Sequence, residues 1–410
     1  MATPPAETGP TSVESHLAEI LAAIRPLPPV MSGLAETEGC VLAEDVTAST
    51  PLPSFDNSAM DGYAVQARDL EGATDAAPVT LPVTGEIAAG DTGSYKVTPE
   101  CCVRIMTGAL LPAGADAVVP VELTDGGTSR VAFRQPVAPG AAIRRRGDDV
   151  AKGDVLLTAG TGIGSVELAL LAAAGVGSAL VRPRPRMAVI STGNELAEPG
   201  TPIIPGRIWE SNSFMLAAAA RQAGAVAHRH RISDDPAGVL AAIDEQLPRA
   251  DLLVTTGGVS MGGEHDVVKA ALAALGTVTF RKVAMQPGMP QGFGTVGPRQ
   301  TPIFTLPGNP VSAYVSFQIF VRPALRSLQG LPPQRFSSLR AVLAGAVRSP
   351  QGRRSFLRGI LDADEGTVTP LTGQASHQLG ALAQANVLII VPEQVVTMDV
   401  GDPAEVVRLP

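Results

Sequence analysis

Aromatic residues, lysines and cysteines are all scarce in this chain of 410 residues. Aromatic side chains make up 3% of the sequence, and four of its 31 basic residues are lysines. The three cysteines, Cys40, Cys101 and Cys102, have neither zinc-site nor redox spacing, and an adjacent pair cannot easily close an ordinary disulfide. This pattern argues against a disulfide-stapled secreted scaffold and predicts a reducing, cytoplasmic environment.

Signals for nucleic-acid or membrane partners are also missing. The net charge is −8, so there is no general electrostatic basis for binding nucleic acid or a membrane surface. The strongest apolar run, 168–176, is far shorter than the roughly 20 residues that span a bilayer. Residues 1–12 lack the basic and apolar regions of a secretory signal. We therefore expect neither nucleic acid nor membrane as a partner.

Glycine and proline are abundant, with 43 and 36 residues, and 45% of the chain is hydrophobic. Such a composition is typical of a folded protein with many turns. Because typical domains have about 100 to 200 residues, the length predicts two to four domains.

The spacing of apolar residues changes along the chain. Helical spacing over 13–24 predicts an amphipathic opening helix, and short apolar runs between turn residues predict β structure over 31–150. Strands then alternate with helices over 186–330, which predicts a parallel sheet covered on both faces, before β character returns over 331–410. The α/β elements expected are strand 187–190, helix 211–223, strand 226–232, helix 236–246, strand 252–255 and helix 267–275.

The most informative segment is 251–266, where a buried strand breaks into a glycine-rich loop that precedes a helix. The run Gly257-Gly258-Val259-Ser260 would let backbone N–H groups approach an anion at the positive end of that helix. Asp266 would repel a bare phosphate, so the arrangement favours a divalent cation that bridges carboxylate and ligand oxygens. A tight turn whose helix is N-capped by Asp266 explains the same residues.

Four further motifs combine turn residues with charge or exposed backbone groups. Motif 54–64 could be an Asx-rich turn, and motif 144–149 sets three arginines beside two aspartates, as a solvated charge run does. Prolines in 285–290 and 306–313 predict rigid turns. Such turns either present backbone N–H groups to a ligand or have a structural role alone. Carboxylates concentrated in polar loops are what a site for magnesium and an oxyanion requires. These carboxylates belong to Asp61, Asp149, Glu195, Asp234 and Asp266.

Five motifs, taken in order, resemble the molybdopterin molybdenumtransferases of the MoeA and gephyrin E-domain family. The resemblance covers nearly the whole chain after about Ser12. It implies an α/β plus β, multidomain fold: a MogA-like doubly wound α/β domain, β-rich N-terminal domains and a small C-terminal β-barrel-like domain. The motifs are Phe55-Asp56-Asn57-Ser58-Ala59-Met60-Asp61-Gly62-Tyr63, Arg104-Ile105-Met106-Thr107-Gly108, Ser191-Thr192-Gly193-Asn194-Glu195, Gly257-Gly258-Val259-Ser260-Met261-Gly262 and Leu306-Pro307-Gly308-Asn309-Pro310.

With that resemblance, we predict four domains. A discontinuous, elongated domain I takes 1–30 and 140–183, and a β-rich domain II takes 31–139. The molybdopterin-binding α/β domain III takes 184–330, and the β domain IV takes 331–410.

The resemblance implies the final step of molybdenum cofactor synthesis, in which molybdate is inserted into adenylylated molybdopterin and AMP is released. Mg²⁺ is the implied cofactor, with Asp266 and Glu195 as its ligands, and molybdate is a substrate. Asp61, Asp149 and Asp234 would serve the metal-transfer end, and Thr107 would hydrogen-bond an oxyanion. The substrate-binding residues implied are Gly257, Gly258, Val259, Ser260, Asn212, Gln286, Pro287, Pro307, Gly308, Asn309 and Pro310.

The implied partners are a second copy of the chain, the adenylyltransferase and the molybdoenzymes that accept the cofactor. Gln286 and Met289 stand where many relatives have lysine, and Arg144–Arg146 or Arg281-Lys282 are candidates to supply the missing positive charge. Two alternatives stay open. One is a gephyrin-like scaffold that keeps the fold, and the other is a molybdopterin adenylyltransferase, against which the additional N-terminal and C-terminal domains argue.

Overall fold

The chain forms two compact units. Within the part that the computed structural model describes, no helix is both long enough and apolar enough to cross a membrane. The division into four domains stays a prediction. The described residues are 9–232, 235–258, 267–333 and 338–409. The larger unit comprises the described parts of Met1–Val30, Gly39–Ala43 and Leu180–Pro410, and the smaller unit comprises Met31–Glu38 and Glu44–Ala179.

The α-helices of the described residues are α1 Val13–Ala23, α2 Ser165–Ala173, α3 Asn212–Gln222, α4 Pro236–Gln246, α5 Val267–Ala274, α6 Pro310–Ser316, α7 Arg322–Leu328 and α8 Leu379–Gln384. Side-chain caps fix two of the helix starts. The Ser12 hydroxyl accepts a hydrogen bond from Ser15 N at 3.1 Å and caps α1. Asp235 caps α4 by accepting from Gly238 N at 2.7 Å. A π-helix, Phe317–Val321, joins α6 to α7.

The strands are short, as expected from the frequency of turn residues. In chain order they are β1 Val30–Gly33, β2 Val41–Leu42, β3 Val46–Thr47, β4 Asn57–Ser58, β5 Gly62–Val65, β6 Val79–Ile87, β7 Cys102–Ile105, β8 Ala117–Pro120, β9 Arg130–Phe133, β10 Ile143–Arg144, β11 Val155–Leu157, β12 Ser178–Arg182, β13 Arg186–Thr192, β14 Leu196–Ala197, β15 Ile208–Trp209, β16 Val226–Ile232, β17 Leu252–Thr256, β18 Val278–Lys282, β19 Met285–Gln286, β20 Pro290–Val296, β21 Thr301–Leu306, β22 Ser338–Leu343, β23 Val347–Arg348, β24 Arg354–Asp362, β25 Thr367–Pro370, β26 Val387–Val391, β27 Thr397–Met398 and β28 Pro403–Arg408.

The smaller unit is built around a five-stranded sheet with strand order β8-β5-β7-β6-β9. Its core includes Tyr63, Val119 and Phe133, and the Tyr63 and Phe133 rings meet edge to face with centroids 5.9 Å apart. The Tyr63 hydroxyl donates to Gly127 O at 3.0 Å, so this buried phenol keeps a hydrogen-bond partner. The prediction of a β-rich N-terminal region is confirmed.

A six-stranded sheet with order β16-β13-β17-β21-β20-β18 forms the centre of the larger unit. Alternate side chains of β13 enter opposite cores: Met187 and Val189 pack with α1, α3 and α7, whereas Ala188 and Ile190 pack with α4 and α5. The sheet is therefore covered on both faces, as the alternation of strands and helices predicted.

The prediction of a parallel sheet holds for four of the six strands and is wrong at one edge. Strands β16, β13, β17 and β21 are parallel, but β20 is antiparallel to both β21 and β18. The reason is the length of the connections: 283–289 and 297–300 are too short for a crossover and can only reverse the chain.

The C-terminal part of the larger unit is a closed barrel. Its strands follow the order β24-β25-β22-β28-β26, and a further pairing of β24 with β26 closes the ring. Val368, Ile389 and Val406 fill its interior. The predicted small β-barrel-like domain is confirmed, and β19 adds to it in parallel with β24.

Candidate functional site

In the smaller unit, Asp61 and Thr107 form one hydrogen-bonded pair. Asp61 immediately precedes β5 and Thr107 follows β7, and the antiparallel register of Gly62 opposite Ile105 brings the two strand ends together. Asp61 Oδ1 accepts from Thr107 N at 2.6 Å and from Thr107 Oγ1 at 2.7 Å. These bonds, the backbone one first, lower the pKa of Asp61, so its carboxylate is ionised at neutral pH. Both Thr107 donors are thus directed at Asp61 in this structure.

Motifs 54–64 and 144–149 lie side by side. Strand β4 pairs with β10, and Asp56 accepts from Arg145 Nη1 and from Arg146 N, each at 2.8 Å. The hydrogen bond from the Arg146 backbone and then that from the Arg145 side chain lower the pKa of Asp56. The arginine run is therefore tied to the other motif, which a freely solvated charge run would not be. Asp149 is exposed in this loop, where its backbone N donates to Leu52 O at 3.0 Å.

In the larger unit, the predicted loops converge beyond the carboxyl ends of β13, β17 and β21. The order of the parallel strands reverses between β13 and β17, which is where ligands bind in doubly wound sheets. Gly257 follows β17 with φ +95°, and a Cβ there would lie 2.5 Å from Thr192 O. Gly258 has φ +63°, and a Cβ would lie 2.8 Å from a Val268 methyl carbon. Only glycine fits this close approach of two loops.

Asn212, at the start of α3, links two of these loops. Its Nδ2 donates to Thr256 Oγ1 at 3.0 Å and to Gly308 O at 2.7 Å. Thr256 Oγ1 in turn donates to Pro307 O at 3.3 Å. One amide thus holds the end of β17 and the turn after β21 in a fixed relation.

Glu210, which the sequence analysis did not select, determines where α3 begins. Its side chain is 1% exposed, and it accepts from Ser213 N at 2.8 Å and from Ser213 Oγ at 2.5 Å. Arg229 Nη2 lies 3.9 Å from Glu210 Oε2. Because Glu210 satisfies the first turn of α3, it also positions Asn212. The sequence signal was an acid directly before Ser211-Asn212 at a predicted helix start.

The turn after β21 rests on the barrel. Asn309 Nδ2 donates to Ser376 Oγ at 3.0 Å, and Val311 N donates to Ser376 O at 3.1 Å. Arg358 was also not selected in the sequence analysis. It is fully buried and donates from Nη2 to the carbonyls of Gly373 and Ala375, in the loop that contains Ser376, at 2.6 and 3.1 Å. Burial lowers the pKa of Arg358. No sequence pattern distinguishes such an arginine from a surface one.

Gln286 is exposed and Pro287 is buried at the junction of β19 with the barrel. Of the cations considered as substitutes for the missing lysines, Arg145 is paired with Asp56 and Arg281 with Glu19. Three of these cations form no ion pair within the described part of the chain, namely Arg144, Arg146 and Lys282.

Glu195 is an exposed carboxylate in the loop after β13, where its oxygens fold back towards the Gly193 backbone. Carboxylate oxygens are the donors that Mg²⁺ prefers. In the ranges that the structure describes, however, no three His, Cys, Asp or Glu side chains are grouped to hold a metal ion. Glu195 would therefore need a further donor. Four predicted site residues lie outside the described residues: Asp234, Val259, Ser260 and Asp266.

Three family models match successive parts of this chain. The MoeA N-terminal region (domain I and II) matches residues 11–175, the probable molybdopterin binding domain matches 188–327, and the MoeA C-terminal region (domain IV) matches 340–409. The chain belongs to the MoeA family. The resemblance found in the five sequence motifs is confirmed.

Relatives of this MoeA-family chain match it over most of its length. Molybdopterin molybdenumtransferase 2 of Mycobacterium tuberculosis is 49% identical over 402 residues, covering 96% of this chain and 98% of the relative. Molybdopterin molybdenumtransferase of Bacillus subtilis is 39% identical over 361 residues, covering 86% and 83%. The crystal structure of a molybdopterin biosynthesis MoeA protein from Pyrococcus horikosii has a TM-score of 0.77 at 30% identity and covers 98% of this chain and 99% of that one.

Proposed function

We propose that this chain is a molybdopterin molybdenumtransferase, which inserts molybdate into adenylylated molybdopterin and releases AMP. The observation that carries the proposal is the loop cluster beyond β13, β17 and β21, in which Asn212 ties the glycine loop to the Pro307–Pro310 turn. Full-length relatives that bear this enzyme name support the same assignment.

The loop cluster supplies recognition through its backbone. Gly257 and Gly258 permit the close packing of this loop on Thr192 and Val268, and a glycine-rich loop of this kind can present backbone N–H groups to a phosphate oxygen. Asn212 keeps the opposite wall, at Gly308, at a constant distance. We assign the pyrophosphate and pterin end of the substrate to this cluster because fixed dipoles stabilise developing charge without reorganising.

The Asp61–Thr107 pair is assigned to the metal-transfer end, together with Asp149. Since both Thr107 donors point at Asp61, Thr107 holds the carboxylate in place and lowers its pKa. An ionised carboxylate repels molybdate itself, so Asp61 acts on protons or cations that accompany the oxyanion.

Mg²⁺, a homodimer and a cytoplasmic location complete the proposal. Glu195 offers a hard oxygen donor in the loop after β13, and Asp266 would be its companion. When bound, the cation would neutralise charge on the pyrophosphate oxygens. The partners proposed are the adenylyltransferase that supplies the substrate and the molybdoenzymes that accept the cofactor.

The test is AMP release. Purified protein is mixed with adenylylated molybdopterin, molybdate and Mg²⁺, and AMP is quantified by chromatography, with parallel reactions that lack molybdate or Mg²⁺. We expect AMP only in the complete mixture. No AMP at millimolar Mg²⁺ would refute the enzyme assignment, and AMP formed independently of molybdate would refute molybdate insertion.

A further inference from the structure

A cavity of about 540 Å³ opens at the amino edge of the six-stranded sheet. Its lining includes Arg186, Asp251 and Thr301, which stand at or directly before the starts of β13, β17 and β21. The candidate active site lies beyond the carboxyl ends of the same three strands. The cavity is therefore a separate pocket, and nothing in the proposed reaction uses it.

Four arginines line this cavity, against one carboxylate: Arg25, Arg184, Arg186, Arg299 and Asp251. Asp251 is fully engaged by Arg186, since its oxygens accept from Arg186 Nη2 at 2.8 Å, Nε at 3.0 Å and N at 2.9 Å. The other three arginines have no carboxylate within 4.0 Å in the described ranges. Such an excess of positive charge is unusual in a chain of net charge −8.

Helix capping accounts for part of this arrangement. Arg184 donates from Nε and Nη2 to the Gly224 and Ala225 carbonyls, both at 3.1 Å, just beyond α3. Arg299 Nη2 donates to the Leu247 carbonyl beyond α4, and Arg25 Nη1 donates to Ala22 O in α1 at 2.8 Å. Cations at helix C-termini are favourable in their own right, and the carbonyl dipoles offset some of the charge.

These capping contacts do not use every N–H donor of the four arginines. Nη1 of Arg184 and of Arg186, and Nε of Arg25 and of Arg299, have no hydrogen-bond partner among the residues that the structure describes. The carbonyl and carboxylate contacts hold each guanidinium in place while these nitrogens stay free. A site whose donors are already immobilised loses less conformational entropy when a ligand binds.

Apart from Gln300 and Thr301, the rest of the lining is apolar and includes Leu27, Pro28, Pro183, Pro302 and Leu328. Guanidinium groups match the geometry of phosphate oxygens, and a cavity of this size suits a small organic ligand. We propose that this cavity, hereafter the amino-edge pocket, binds a small organic phosphate: the arginines take the phosphate and the prolines and leucines take an apolar or ring portion.

The test measures binding of phenyl phosphate to the full chain by calorimetry. In the double variant Arg25→Gln/Arg299→Gln, both positions are exposed and the fold is expected to survive. We expect its Kd to rise at least about 10-fold, the usual effect of losing hydrogen bonds from charged donors. The control Arg340→Gln/Arg348→Gln removes the same charge from exposed positions on β22 and β23 and should leave Kd unchanged.

Two companion ligands separate the parts of the proposal. Inorganic phosphate should bind more weakly than phenyl phosphate, and phenol should not bind measurably. The proposal is overturned if phenyl phosphate does not saturate the protein, if both double variants bind it as the parent does, or if inorganic phosphate binds as tightly. Should the double variant misfold, Arg25→Gln alone gives the same comparison. AMP release plays no part in this test, so failure of the proposed function leaves its outcome unaffected.

Discussion

The two edges of the six-stranded sheet lie at opposite ends of the helices and therefore at helix dipoles of opposite sign. At the carboxyl edge the helices begin, so their positive ends and the backbone N–H groups supply attraction for anions, and the described contacts there are made by glycines and an amide. At the amino edge the helices end, and arginines bond to the free carbonyls. The same polarity of the parallel elements is therefore consistent with a proposed substrate site whose described contacts come from backbone and amide groups, and with an arginine-lined pocket at the opposite edge.

The largest effect is expected for a substitution at Gly257. It tests whether the carboxyl-edge site depends on the close approach of the Gly257 backbone to Thr192 O. Gly257→Ala would place a Cβ against Thr192 O at φ +95°. We expect a loss of about 2–4 kcal/mol in the free energy of unfolding and a fall on the order of 100-fold in the rate of AMP release.

Gly276→Ala is the matched control for that change. Gly276 also has a positive φ, +69°, but a Cβ there would have no atom within 4 Å. Chemical denaturation should show a loss of only about 1 to 2 kcal/mol, and turnover should be unaffected. Equal effects of the two substitutions on AMP release would mean that the close approach of the loops has no functional importance.

The next effect concerns the amide that joins two loops. Asn212→Ala removes hydrogen bonds to Thr256 Oγ1 and Gly308 O, so we expect AMP release to fall roughly 10- to 100-fold with a stability loss of about 1–2 kcal/mol. Asn386→Ala removes an amide that makes two bonds to the Leu361 backbone, in the barrel. Both variants should unfold at similarly lowered denaturant concentrations, but only Asn212→Ala should slow turnover.

A smaller effect is expected one step further from the substrate. Glu210→Gln weakens the cap of α3 and should cost about 1–2 kcal/mol, whereas Glu245→Gln at an exposed position should stay within about 0.5 kcal/mol. Because Glu210 acts through Asn212, its loss should change KM for the adenylylated substrate more than kcat, and Glu210→Asp should restore part of it. An unchanged KM in Glu210→Gln would reduce this residue to a structural role.

The smallest effect sharpens the contrast at the amino edge. Asp251→Asn removes the one carboxylate of the amino-edge pocket and costs about 1 kcal/mol, since the Arg186 side chain is 41% exposed and solvent screens the pair. The loss of a nearby negative charge should tighten phenyl phosphate binding roughly two- to fivefold. Weaker binding by this variant would show that Asp251 orders the arginines more than it neutralises them.

Local signals in the sequence predicted the regular α/β elements well. Strand β16 and helix α4 have the predicted bounds, because Pro236 and an apolar period mark the helix start. The strands β18 and β20 were not predicted. In β20 the residues Pro290-Gln291-Gly292-Phe293-Gly294 alternate weakly, and their pairing depends on neighbours in the sheet rather than on propensity.

The parts of the candidate site that consist of turns could be predicted from turn residues in the sequence. The parts that depend on tertiary contacts could not. Glycines and prolines in the sequence predicted the loops at Gly257 and Pro307. Glu210 and Arg358 look like surface charges in the sequence, yet the fold buries both. The amino-edge pocket collects its arginines from three distant segments, around positions 25, 184–186 and 299, so no local pattern could reveal it.

We infer that AMP is released at the carboxyl edge of the sheet. The direct measurement is the rate of AMP release from adenylylated molybdopterin in the presence of molybdate, compared between the parent chain, Asn212→Ala and Arg340→Gln/Arg348→Gln. We predict a strong loss for Asn212→Ala alone. Equal rates in all three proteins would place the reaction elsewhere and contradict the account.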